Sequence, residues 1–165
     1  MATIARDQPL VVSLLDRLLD DEPGVSTEPS RGRTQVLRTL KQSVRRDLQD
    51  LLNTRTRCLS WPPGLKELKQ SLVNYGLPDF TGADLGSAKD REQFCGLVQA
   101  MIRQHEPRFK SVAVRLLGSA EPLDRTLRFR IDAMLRAEPA PEPVVFDSVL
   151  QPATGAFEVK GGGDE

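Results

Sequence analysis

The sequence predicts an α+β protein of two layers, with helices packed on one face of a small antiparallel sheet. Three observations lead there. Two long stretches in the first two thirds of the chain repeat apolar residues at spacings of three and four. The last third switches to strict alternation. No strand–helix–strand succession and no glycine-rich loop after a strand suggests a nucleotide-binding α/β fold. With 165 residues, 39% hydrophobic and 28% charged, the chain can bury one substantial core and sits in the globular range.

The elements follow in order. Val11, Leu14, Leu15 and Leu18 mark a short amphipathic helix, with Ser13 as N-cap and Asp16 three residues on. Pro23, Gly24, Pro29 and Gly32 then read as a linker over 20–32. From 33 to 58 a long helix is expected. Leu37, Leu40, Val44, Leu48, Leu51 and Leu52 form its apolar stripe, and Arg38, Lys41, Arg45 and Arg46 take the other face. Pro62, Pro63 and Gly64 stop it, and a short helix carrying Leu65, Leu68 and Leu72 follows. Residues 74–86 are a loop. Ser87 and Asp90 open a second long helix with Phe94, Leu97, Val98, Met101 and Ile102 on one stripe, closed by Pro107.

Beyond Pro107 the period becomes two. Val112, Val114 and Leu116 alternate with shorter or charged residues. Leu127, Phe129, Ile131, Ala133 and Leu135 alternate strictly with Arg128, Arg130, Asp132 and Met134. A proline-rich break at 137–143 precedes strands at 144–150 and 156–160, joined by a turn at 151–155. Residues 1–32 thus read as a short helix and linker, 33–160 as one α+β domain, and 161–165 as a disordered tail.

Composition removes several function classes. No apolar run approaches the roughly 20 residues of a membrane span, and the N-terminus is a poor secretory signal. Cys58 and Cys95 have no C-x-x-C spacing, so free thiols in a reducing, intracellular setting are expected. The net charge is zero but segregated: residues 31–57 hold eight basic and two acidic groups, between acidic flanks. Such a pattern suits docking to proteins better than to nucleic acid.

Catalytic chemistry is hard to assemble. His105 is the only histidine, no G-x-S-x-G occurs, and no cofactor or metal site is indicated. Glu106 has no identifiable carboxylate partner for glycoside hydrolysis. The chain is expected not to be an enzyme. The Glu106-Pro107-Arg108 corner stands out for another reason. Pro107 must end the helix, which leaves an acid at its C-terminus, unfavourable by about 0.3–1 kcal/mol. Either an internal arginine or a partner should offset it, and Arg108 offers a planar guanidinium fork.

The series S-L-L-D-R-L at 13–18, S-V-R-R-D-L-x-x-L-L-N-T-R at 43–55, Y-G-L-P-D at 75–79, I-R-x-H-E-P-R-F at 102–109 and F-D-S-V-L at 146–150 resembles the TssE family. These are type VI secretion baseplate subunits related to a phage tail baseplate wedge protein. The resemblance implies a cytoplasmic, structural component beside TssF, TssG and TssK that helps seed the TssB/TssC sheath. It also implies that Glu106, Pro107 and Arg108 form a protein interface. Two other readings stay open: an anti-adaptor-type regulatory protein of similar fold, and a peptidoglycan hydrolase.

Overall fold

The computed structural model describes residues 14–18, 23–24, 32–56, 64–65, 67–68, 71–79, 87–117, 126–137, 140–151 and 154–161. Ser13, most of the 20–32 linker, Cys58, Trp61, Pro62, Pro63, residues 80–86 and the tail after Gly161 lie outside the described residues. In chain order come α1 (Leu14–Leu18), α2 (Arg33–Asn53), a 3-10 turn (Leu72–Asn74) and α3 (Ala88–His105). Four strands follow: β1 (Phe109–Leu117), β2 (Leu127–Leu135), β3 (Glu142–Gln151) and β4 (Ala156–Gly161). They form an antiparallel meander in sequence order. α2 lies against β4 and α3 against β1, so the long helices cover one face of the sheet. This is the two-layer α+β arrangement the periodicities predict.

Of the expected apolar stripe of α2, Leu40, Val44, Leu48, Leu51 and Leu52 are buried and Leu37 is half-buried, while Val36, outside that stripe, is buried in its place. Each such side chain contributes about 1.5–3 kcal/mol by leaving water. The helix ends at Asn53, five residues earlier than its unbroken sequence suggests. Thr54 returns both its N–H (3.0 Å) and its hydroxyl (2.7 Å) to the Asp50 carbonyl. The chain then turns extended and makes a parallel bridge to Leu77. Leu77 N–H donates to the Thr54 carbonyl and Thr56 N–H to the Leu77 carbonyl, both at 2.9 Å. Gly76 makes this approach feasible. Its φ is +104°, and a Cβ there would sit 2.5 Å from the Thr54 oxygen.

α3 begins as expected. The Ser87 hydroxyl accepts from the Asp90 N–H at 3.1 Å and donates to the Asp90 carboxylate, a capping box with aspartate in the third position. The expected helix carrying Leu65, Leu68 and Leu72 is not seen. The described part of that segment makes only short 3-10 turns, with Leu65 and Leu72 exposed and Leu68 half-buried, so among the described residues little apolar surface is buried to hold a helix.

β2 keeps its register: Leu127, Phe129, Ile131, Ala133 and Leu135 are buried beneath the helices, with Arg128 and Arg130 on the outer face. There Arg130 pairs with Asp147 (2.8 Å) and Arg115 with Asp132 (3.3 Å) across neighbouring strands. β1 departs from simple alternation. Its register slips between Phe109 and Ser111, the mark of a bulge. The extra residue lets Phe109 and Val112, three apart, both face the helices. β3 starts at Glu142, inside the expected break, and Gly161 extends β4 rather than opening the tail.

Candidate functional site

The chain reverses where α3 meets β1, and the charged residues gather there. Glu106 adopts non-helical dihedrals because Pro107 follows, and its N–H still closes the helix on Ile102 at 2.8 Å. Its carboxylate folds back over the turn. Oε1 accepts from the Arg108 N–H (3.1 Å) and from Arg108 Nε (2.7 Å), while Oε2 accepts from Nη2 at 2.5 Å. The offset demanded by an acid at a helix C-terminus is therefore an internal arginine. Glu106 is only 5% exposed, so it is not presented at the surface of the corner. Pro107 is exposed and Arg108 keeps 21% of its side chain accessible.

Arg108 also reaches α2. Nη2 donates to Asp47 Oδ2 at 2.6 Å and Nη1 to the Ser43 hydroxyl at 3.2 Å. Ser43 in turn donates to Asp16 Oδ2 at 2.7 Å, and Arg46 bridges Asp16 (3.2 Å) and Asp47 (3.1 Å). One network thus ties α1, α2 and the corner together. Among the described residues three carboxylates meet two guanidinium groups in this network. Burial alone would lower the Arg108 pKa. The hydrogen bonds and charge of Glu106, then of Asp47, outweigh burial and hold it above its ordinary value.

Above this network lies an open cleft of about 400 Å³. Leu15, Leu48, Leu51 and Tyr75 give it apolar walls, and Asp47, Glu106 and Arg108 a charged one. The Tyr75 ring meets His105 edge to face with centroids 5.1 Å apart. Burial raises the Tyr75 pKa, and the charges of Asp50, Asp47 and Glu106 add to the effect. α1 offers little apolar contact in return: Leu14, Leu15 and Leu18 are exposed, while Asp16 points inward. Among the described residues no three His, Cys, Asp or Glu side chains come together to hold a metal.

A second feature went unassigned in the sequence. The Asn53 side chain clamps the backbone of Phe157 from both sides of its amide. Oδ1 accepts from the Phe157 N–H and Nδ2 donates to its carbonyl, each at 2.9 Å. These groups of β4 point away from β3, so Asn53 covers the free edge at that position. Arg55 donates to the Gly155 carbonyl at 2.5 Å, its guanidinium lying over the Phe157 ring. At the opposite edge Gln99 of α3 accepts from the Val114 N–H at 3.0 Å. The N-T-R run at 53–55 was the available signal for the first clamp. Nothing local marks Gln99.

A family model described as baseplate wedge protein gp25 matches residues 38–140, which span α2 from Arg38 onward, α3, the corner, β1 and β2. Among solved structures, a chain of "The baseplate complex from the type VI secretion system" aligns with 21% identity and a TM-score of 0.47. That alignment covers 69% of this chain and 96% of the other. No curated protein matches the sequence. Among the described residues no helix is long and apolar enough to cross a membrane.

Proposed function

The chain belongs to the baseplate wedge protein gp25 family, and from that membership we propose that it is the TssE-type structural subunit of a contractile type VI secretion baseplate. The family match, running through the whole charged corner, carries this reading. In it the protein works in the cytoplasm, joins the wedge beside TssF, TssG and TssK, and helps to start TssB/TssC sheath polymerisation. The cleft beside Pro107 and Arg108 is its contact surface. Apolar walls beside a partly buried charge network suit an anchoring side chain from a neighbour. The sheet edge beyond Asn53, at Val159 and Gly161, is where a sheath segment would add a strand.

The role is non-catalytic. Both oxygens of Glu106 are engaged by Arg108, which keeps that carboxylate from acting as a general acid. Purified protein is expected to leave peptidoglycan intact at any pH between about 4 and 8. Turnover lost on Glu106→Gln would overturn that.

Assembly is tested in cells lacking the native copy. Leu15→Glu places a charge on the exposed rim of the cleft without touching the network. It should stop baseplate incorporation and sheath assembly while the melting temperature stays within a few degrees. Arg108→Ala should also stop assembly. Normal sheaths with both variants would make the corner purely structural.

A further inference from the structure

Glu106 is compensated inside the chain, but a second electrostatic cost is not. Arg38, Lys41 and Arg45 lie on the solvent side of α2 at positions i, i+3 and i+7, all exposed. Over seven residues they span about 10 Å of helix. Like charges three and four residues apart repel. Cations in the first half of a helix also oppose its dipole, and the first turn of α2 holds no acid.

Several other cations among the described residues are matched. Arg130 and Arg115 pair across strands, Arg46 bridges two aspartates, and Arg33 sits 3.6 Å from Glu142. Arg103 lies in the last turn of α3, where the dipole favours it. By contrast, no carboxylate pairs with Arg38, Lys41 or Arg45 among the described residues. Of the acids on α2, Asp47 is already engaged by Arg46 and Arg108.

We propose that this stripe docks an acidic helical segment of a partner protein. Charge complementarity and length select that occupant. Carboxylates at i, i+4 and i+7 of one helix cover two turns, the extent of the stripe. Gln42 and Gln49, exposed on the same side, add neutral hydrogen-bonding groups between and beyond the cations. A nucleic acid needs a longer basic track. Here the three cations cover only about two turns, and the whole chain has zero net charge.

The full chain, isotopically labelled, is titrated with a synthetic alanine-based helical peptide bearing glutamates at i, i+4 and i+7, and with the glutamine version. The glutamate peptide should bind at least about tenfold more tightly, a difference of ~1.4 kcal/mol, with amide shifts confined to 34–49. Its affinity should fall as salt rises from about 50 to 300 mM. The triple variant R38E/K41E/R45E should lose it and instead bind the lysine version of the peptide, which also shows that the variant is folded. Arg103→Glu should change nothing. Equal binding of the glutamate and glutamine peptides would overturn the proposal. So would equal loss in Arg103→Glu, or tighter binding of a short DNA duplex that the triple variant abolishes.

Discussion

Glu106 shows how burial changes what a charged residue does. Its carboxylate receives three donors from Arg108 and is almost wholly out of water. Removing one member of such a pair strands the other, so Glu106→Ala is expected to cost about 3 kcal/mol and to lower Tm by roughly 6–12 °C. Thermal melts followed by circular dichroism check this. A loss below about 1 kcal/mol would mean that Asp47 alone satisfies Arg108. Tyr75 reads the same site by another route, because it is the only tyrosine. Burial and the nearby carboxylates raise its pKa above the ordinary value of about 10. The folded state therefore holds the phenolic proton more tightly than the unfolded chain. That contribution to stability is complete below about pH 10 and is lost as pH rises beyond it. Tyrosinate absorbance should titrate above pH 10 in the native protein and return to about 10 in denaturant. A native midpoint at or below the denatured one would contradict the placement of Tyr75 in the cleft. In the core, Ser148 is 1% exposed and its hydroxyl finds no partner among the described residues. Ser148→Ala should raise stability by about 1 kcal/mol, seen as a higher urea midpoint at unchanged slope.

At the scale of elements, the C-terminus of α2 is a fastening as well as a helix end. Asn53, Thr54 and Arg55 respectively hold β4, the Asp50 carbonyl and the turn before β4, and the backbone at Thr54–Thr56 brackets Leu77. Two edge-strand groups that would otherwise face solvent or another chain are engaged by one side chain. Asn53→Ala should cost about 2 kcal/mol, from two hydrogen bonds of ~1 kcal/mol each. Hydrogen exchange at the Phe157 amide should accelerate with it. Asn53→Asp keeps the acceptor for the Phe157 N–H and loses the donor to its carbonyl, so it should fall between. Unchanged exchange at Phe157 in both variants would show that the ladder to β3 alone protects this edge.

For the whole molecule, helices and sheet share one core, running from Leu40 and Leu48 through Val98 and Ile102 to Ile131, Phe146 and Val159. Leu48→Ala on α2 and Ile131→Ala on β2 should therefore each cost about 2–5 kcal/mol. Each should lower the helical and the sheet signals in one transition. Separate transitions for the two layers would refute a common core. The outer face of the sheet carries charged cross-strand pairs.

Local pattern alone determined the α+β class, the stripes of α2 and α3, the Ser87 cap, the stop at Pro107 and the register of β2. Each of these depends on residues a few positions apart, and periods of 3.6 and 2 are written directly into the order of the side chains. Partner choice was not local, and only the tertiary structure decided it. Arg108 meets Asp47 across 61 positions, and Asn53 meets Phe157 across 104. Packing brings those groups together, so the early end of α2, the bulge in β1 and the burial of Glu106 follow from contacts that no short stretch of sequence contains.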